Sequence, residues 1–489
     1  MKTIIIIGAG PAGLTAALEL SKDKEKYNII IIEEEDAVGG ISKTVELSGN
    51  RMDLGGHRFF SKDKRVLEIW ESLLPFENEN DPDKVMLKRS RVSRIFYRSK
   101  FFDYPVKASI KTLLNLGFFK SLRIVFGYIK ARIKTLPEKD LESFYVNQFG
   151  RPLYSTFFES YTEKLWGRHP SRISADWGAQ RVKGLSLKEL VFDSFRKLFK
   201  RKNQSNTKTS LIEEFSYPKL GPGQLWEEAA EAIKKNGARL IYGEKVVRIN
   251  SFEGRLVSVI TDKGTEYKGD IFISSMPLKD LLCNDSSTPD DIRAIASSLP
   301  YRDFITLGLL FDKRDCTSKL INKNGLIKDC WIYVQDPEVK LGRIQIFNNW
   351  SPYMVKNGSE IWLGLEYFCD EGDCFWRMDP EKRTELAVKE LYKIGLIKKE
   401  SRPKLHHTER VKKAYPAYFD GYSQIDRVYS YLNSIDNLFC IGRNGLHRYN
   451  NMDHSMLTAL EAVKNIKENV TSKENVFNVN TEKEYHEEK

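Results

Sequence analysis

The chain has 489 residues, with 78 Lys and Arg against 67 Asp and Glu and a formal charge of +11. A 41% hydrophobic and 12% aromatic share excludes a disordered chain, and 31 Gly and 17 Pro are too few for a fibrous one. No charge-free apolar run reaches the roughly eighteen residues that a membrane-spanning helix needs, and the length predicts two to three domains.

The N-terminus passes from MKT straight into IIIIG with no cleavage-site pattern, so a cytoplasmic protein is expected. Cys283, Cys316, Cys330, Cys369, Cys374 and Cys440 show neither CxxC nor paired-His spacing. No metal site is expected from them, and thin cysteine usage suits a reducing compartment. Cys369 and Cys374 flank DEGD, which reads as a polar loop.

The first forty residues say most. Thr3 to Ile7 is an apolar strand, followed by Gly8-Ala9-Gly10-Pro11-Ala12-Gly13 and a helix-spaced LTAALELSK; Asn28 to Ile32 is a second strand, closed by Glu33. This is the strand, glycine turn, helix, strand and acid of a dinucleotide-binding unit. Gly8 permits the turn, Gly10 admits a pyrophosphate, and Gly13 lets the helix pack on the strand. The helix N-terminus offers its N–H groups to phosphate, and Glu33 accepts from ribose hydroxyls. Gly39-Gly40 and then DLGGH at Asp53 to His57 follow soon after, where an NAD domain would proceed to another helix and strand. These two further glycine pairs are similar to the extended signature of FAD-binding amine oxidase-like flavoproteins.

The middle divides by composition. Tyr104 to Pro137 has no acid and seven bases, Lys107, Lys111, Lys120, Arg123, Lys130, Arg132 and Lys134, with apolar residues at helical spacing. Helical patterns continue from Leu141 to about Lys200 and end in RKNQSNTKTS. The acid-free block would suit either an anionic lipid surface or a solvated basic face that steers an anionic substrate; the second is favoured here. Arg239 to Ser275 alternates as strands, with turns at Glu253-Gly254 and Lys263-Gly264. Strands at Thr306–Leu310, Cys330–Val334, Arg343–Phe347 and Ile361–Glu366 predict an antiparallel sheet. Leu438 to Ile441 reads as a strand, Asp453 to Asn465 as a helix, and the polar tail from 471 to 489 as frayed. The expected fold is α/β. A Rossmann-type FAD-binding domain is assembled from 1–88, 220–290 and 430–470. A helical substrate domain spans 104–210, and a sheet domain is made of 89–103 and 300–425.

Seven further runs occur in order: GGHRFFS, YTEKLWG at Tyr161 to Gly167, WGAQRV at Trp177 to Val182, WIY at Trp331 to Tyr333, GRIQIFNNWSPY at Gly342 to Tyr353, AYP at Ala414 to Pro416, and GRNGLHRYNNMDHS at Gly442 to Ser455. Together they resemble the UDP-galactopyranose mutases, from Lys2 to about Asn465. The resemblance implies a ring contraction without net redox change. N5 of reduced FAD attacks the anomeric carbon of a nucleotide sugar, and the nucleotide diphosphate leaves and returns. NAD(P)H is a candidate reductant.

By the same resemblance Arg181 and Arg343 hold the diphosphate, and His57 lies beside the flavin. Tyr333, Tyr415 and Tyr449 serve the diphosphate and sugar, Tyr104 and Thr162 the uracil, and Asn451 the sugar; Trp166 joins the substrate set. Gly56, Val246, Gly442, Arg443, Asp453 and Ser455 join Gly8, Gly10, Gly13, Glu33, Gly39 and Gly40 in the cofactor set. Galactose, N-acetylgalactosamine, fucose and arabinose all remain open as the sugar. Two other readings stay open on the same scaffold: an FAD oxidoreductase of the amine oxidase, desaturase or protoporphyrinogen oxidase type, and a binder without flavin such as the guanine-nucleotide dissociation inhibitors. No nucleic-acid module is present. The sequence leaves the oligomeric state undecided.

Overall fold

A computed structural model describes residues 1–104, 106, 110–175, 177, 214–317 and 327–481. Its internal contacts divide the chain into two compact units. One is built from Met1–Lys88, Ser216–Arg302 and Val411–Thr481, the other from the described residues of Arg89–Phe215 and Asp303–Arg410.

The first unit is organised by a five-stranded parallel sheet in the order Leu438–Cys440, Ile271–Ser274, Lys2–Ile7, Tyr27–Ile32 and Arg239–Ile241. Ile4–Ile7 and Ile29–Ile32 are buried along their whole length. Both faces of a parallel sheet are covered, so its strands read as unbroken apolar runs rather than alternating ones. The helix Pro11–Ser21 packs against the helix Met452–Glu468 and against Pro222–Lys235. The ends and the middle of the sequence therefore share one core. A three-stranded antiparallel sheet, Val246–Phe252, Arg255–Thr261 and Glu266–Lys268, stands beside it. Its first hairpin turns at Glu253 and Gly254, with φ of 49° and 73°; two consecutive positive φ angles match the right-handed twist of the strands.

The tail departs from expectation. Glu474–Phe477 is a helical turn, Val476 and Phe477 are buried, and Phe477 stacks on Tyr429 at 4.9 Å. Arg448 donates to the carbonyls of Phe477 and Val479. Two apolar side chains in an otherwise polar stretch were enough to dock it.

A seven-stranded sheet, most of it in the second unit, has the order Leu405–Pro416, Tyr301–Asp312, Glu360–Cys369, Arg343–Ile346, Trp331–Val334, Ser93–Tyr97 and Lys100–Asp103; Val411–Pro416 of its first strand and Tyr301 and Arg302 of its second are counted with the first unit. It is not antiparallel throughout, because Trp331–Val334 runs parallel to Ser93–Tyr97. Helices follow at Ile110–Leu116, Phe118–Ile133, Leu141–Phe149, Arg151–Phe157 and Glu159–Trp166. Asp140 caps the third of these by accepting from Ser143 N at 2.7 Å. At Gly150 φ is 75°, and a Cβ there would lie 2.6 Å from the Gly127 carbonyl, so the two neighbouring helical segments meet backbone to backbone. Among the described residues no helix is long and apolar enough to cross a membrane.

Candidate functional site

Each unit contributes a cluster. In the first, the strand Lys2–Ile7 ends at Gly8, whose φ of +97° only glycine adopts freely. A Cβ on Gly13 would sit 1.9 Å from the Gly8 carbonyl oxygen, so helix and turn are interlocked. Around Gly10 the reverse holds: a Cβ would meet nothing within 4 Å. The only glycine of the three with open space is the one expected to face pyrophosphate.

Glu33 ends the neighbouring strand and accepts from Ala9 N at 2.6 Å and Glu35 N at 3.0 Å. These bonds orient the carboxylate although burial raises its pKa. Gly39 N donates to the Ala9 carbonyl at 2.9 Å, and a Cβ on Gly40 would lie 3.5 Å from Gly10 Cα. The second glycine pair is thus laid directly on the first turn.

The DLGGH segment is anchored by Asp53, whose carboxylate accepts from Thr44 Oγ1 at 3.0 Å and from the Tyr217 hydroxyl; burial pushes it up to about 7. Gly56 and His57 follow in irregular backbone. His57 Nε2 donates to the Leu54 carbonyl at 3.3 Å. Desolvation first, and the nearby Arg443 cation to a lesser degree, push its imidazole down to about 4. It is neutral at pH 7.

The C-terminal segment closes this half. Gly442 has φ of +78°, its N–H donates to Thr458 Oγ1 at 2.8 Å, and a Cβ on it would come within 2.9 Å of Ala12 Cβ. The Arg443 guanidinium lies 4.2 Å from the ring centre of Tyr449 and 5.4 Å from that of Tyr415. Those two phenol rings stack at 5.6 Å. Among the described residues Arg443 Nε and Asn444 Oδ1 are buried without a hydrogen-bond partner, which is costly unless a bound group completes them. Asn451 precedes the last long helix, with its N–H on His454 Nδ1 at 3.3 Å; Asp453 is in the first turn, its carboxyl raised by burial, and Ser455 Oγ donates to the Asn451 carbonyl. Val246 is buried at the start of its strand.

In the second unit the strand registers align Tyr333 with Arg343 and Arg343 with Glu366. Residues directly opposite across a sheet share a face, so phenol, guanidinium and carboxylate form one row. Arg343 is 8% exposed and Glu366 is 0%. Arg343 Nη1 donates to Glu366 Oε2 at 3.0 Å and its Nε to the Tyr161 hydroxyl at 2.8 Å. Gln345 Nε2 donates to Glu366 Oε1 at 3.1 Å. Burial raises the Glu366 carboxyl against the lowering effect of Arg343.

Aromatic rings surround the row. Arg343 lies over Phe368 at 4.9 Å and Trp331 at 5.4 Å, and Tyr333 meets Tyr104 at 4.7 Å and Tyr161 edge-on at 5.9 Å. The Tyr161 helix is pinned by Lys164, whose Nζ donates to the carbonyls of Val334, Asp336 and Leu341, each at 3.0 Å. Burial pulls that ammonium down to about 8.

The expected residues therefore fall into two groups: Tyr104, Tyr333 and Arg343 together in one unit, and Tyr415, Tyr449 and Arg443 together in the other. Thr162 and Trp166 are buried in their helix, Trp166 edge-on to Trp177 at 5.5 Å. Arg181 lies outside the described residues. Sequence reasoning missed Tyr161 and Glu366 as members of the cluster. Glu366 had a signal, being a lone acid within the apolar run IWLGLEYF, where burial requires a cation.

The profile of the family described as flavin containing amine oxidoreductase matches residues 11–466. The chain belongs to that family. FAD is its cofactor, and the open space at Gly10, the oriented Glu33 and the unpartnered Arg443 Nε and Asn444 Oδ1 fit the group. The chain is 23% identical over 388 residues to the 1-hydroxycarotenoid 3,4-desaturase of Flavobacterium sp. (strain P99-3), covering 74% of this chain and 76% of the desaturase. A crystal structure of reduced UDP-galactopyranose mutase superposes with a TM-score of 0.81 at 22% identity, covering 98% of this chain and 96% of the other. A putrescine oxidase bound to putrescine superposes with a TM-score of 0.63 at 15% identity, over 96% and 99%. At such identities the superpositions speak for the fold alone.

Proposed function

We propose that this FAD enzyme is a nucleotide-sugar pyranose/furanose mutase that isomerises the ring of an activated hexose or pentose. The observation that supports it best is the Tyr333–Arg343–Glu366 row. It is a buried guanidinium, oriented by a carboxylate and a phenol and walled by Trp331 and Phe368. A cation held this way is preorganised for a diphosphate, whose charge grows as the bond to the anomeric carbon breaks. When bound and reduced, FAD supplies a nucleophilic N5 for an anomeric carbon.

In this reading Arg343, with Arg181, holds the departed diphosphate until the same bond reforms, so product and substrate are isomers. By the resemblance Tyr333, Tyr415 and Tyr449 serve the diphosphate and sugar, Tyr104 and Thr162 the uracil, and Asn451 the sugar. His57, neutral at pH 7 with its Nε2–H on the Leu54 carbonyl, offers the flavin an uncharged ring with Nδ1 as acceptor rather than a second cation.

A second reading, an FAD oxidoreductase, is favoured by the desaturase relative. One experiment separates the two. Holoenzyme reduced with dithionite or NAD(P)H is incubated anaerobically with UDP-galactose, UDP-N-acetylgalactosamine, UDP-arabinose and a nucleotide-linked fucose, and furanose products are read by chromatography. Product from the reduced form and none from the oxidised form is the expected result. No furanose from any of them, together with turnover of an amine or polyene by the oxidised form, overturns the proposal.

A further inference from the structure

The helix Phe118–Ile133 does not present the solvated basic face expected of it. Phe118, Phe119, Phe126 and Ile133 are 71%, 85%, 67% and 82% exposed, and Leu122 and Ile129 are exposed beside them. At 3.6 residues per turn these six side chains fall within an arc of about 100°. Arg123 and Lys130 border the arc on one side and Arg132 on the other, all exposed. The rear of the helix is committed to protein: Ala131 is buried, and a Cβ on Gly127 would lie 2.4 Å from Pro152 Cδ. An apolar stripe of three phenylalanines, two isoleucines and a leucine is not left in water without a partner.

We infer that this face docks the enzyme on an anionic lipid bilayer, with the helix lying in the plane of the interface. Its sixteen residues span about 24 Å, too short for a hydrocarbon core of about 30 Å, which leaves the surface orientation. The charge selects lipid over a second copy of the chain. From Tyr104 to Pro137 there is no acid, so a two-fold contact through this face would set Arg123, Lys130 and Arg132 against their own copies. Phosphate headgroups meet those bases while the rings enter the acyl boundary.

Flotation of the full-length holoenzyme with vesicles tests the inference, using phosphatidylcholine alone or with about 30% phosphatidylglycerol. Binding to the phosphatidylglycerol vesicles, weakened at least about tenfold between 0.1 and 0.5 M salt, is expected. K130Q alone lowers it about fivefold, and F119Q/F126Q lowers it at least about tenfold. The substituted side chains are exposed, and an unchanged circular-dichroism spectrum and melt confirm the fold of each variant. Absence of binding to anionic vesicles overturns the inference, as does F119Q/F126Q binding like the parent. So does a parent dimer in sedimentation that the same double substitution dissolves, because the face would then join two copies.

Discussion

Replacing Arg343 by Ala removes one member of a buried ion pair and leaves the other, Glu366, fully enclosed. Breaking such a pair from one side costs about 3–5 kcal/mol, because a carboxylate remains in a medium that solvates it poorly. For a unit of roughly 200 residues each kcal/mol moves the midpoint about 2–4 °C, so a loss of roughly 6–20 °C is expected for the second unit. The loss depends on pH in a fixed direction. Burial already raises the Glu366 carboxyl with Arg343 beside it; without the cation it rises further. A folded-state pKa above the unfolded one means that the folded variant holds the proton more tightly. Its stability is greatest below the ordinary glutamate range and falls as pH climbs through the raised value.

Arg343→Ala should therefore be closer to the parent at pH 5.5 than at pH 8. The double variant R343A/E366Q should recover much of the loss at pH 8, since no charge is left stranded. Tryptophan fluorescence, with Trp331 against the pair, follows the melt. Isothermal titration with UDP reads the functional side, where losing one charge-assisted contact of about 1.5–3 kcal/mol weakens binding roughly 10- to 150-fold. Equal losses at both pH values with no recovery in the double variant would refute the charge coupling. Unchanged UDP affinity in R343A would refute its role in holding the diphosphate.

The glycine turn and two histidines give further expectations. Gly10→Ala meets nothing within 4 Å, so the melting temperature without FAD should stay within about 1–2 °C of the parent while FAD affinity falls at least about tenfold. Gly13→Ala drives a methyl group 1.9 Å from the Gly8 carbonyl and should cost the fold itself. An FAD titration and a melt on each variant separate the two, and normal FAD binding by G10A would move the pyrophosphate elsewhere. His57 and His447 are both held down to about 4, chiefly by burial. A folded pKa below the unfolded value of about 6.5 means stability is complete above that pH and is lost as pH falls towards 4. For the fully buried His447, whose Nε2 donates to the Ala417 carbonyl at 3.1 Å, the loss is on the order of 3 kcal/mol. Melts between pH 4 and 8 should show the acid limb flattened in His447→Asn; an unaltered limb would mean that His447 is not neutral in the folded state.

What the sequence disclosed followed from local rules. Ile4–Ile7 and Ile29–Ile32 are unbroken apolar runs because both faces of a parallel sheet are buried. Gly8 takes a φ that favours glycine and Gly13 has no room for a Cβ, while Gly10 leaves open space, so the nucleotide-binding turn and its cofactor were legible from the first sixty residues. The row of Tyr333, Arg343 and Glu366 was only partly legible. Its members lie on three strands, and the register that lines them up is a long-range property. Tyr161 reaches Arg343 from a helix nearly two hundred positions earlier, which no periodicity reveals. The Phe118–Ile133 helix misled for a different reason. Composition counts its bases but not its orientation, and the buried side of the helix is set by the small-residue contact of Gly127 with Pro152.

The sign of the buried charge weighs most on the choice between chemistries. An amine substrate arrives as a cation or must shed a proton to enter, and a guanidinium held beside Tyr161 and Tyr333 raises the cost of either. A polyene brings no charge and would gain more from an apolar wall than from Arg343, whose retention among Trp331 and Phe368 requires a dedicated carboxylate. In the proposed reading a diphosphate would turn the same arrangement from a cost into a binding energy, its oxygens accepting from the guanidinium beside Glu366. E366Q should therefore tighten UDP binding while lowering the melting temperature, the two effects moving in opposite directions from one substitution. A variant that loses stability and UDP affinity together would show that the carboxylate shapes the site rather than tempers its charge.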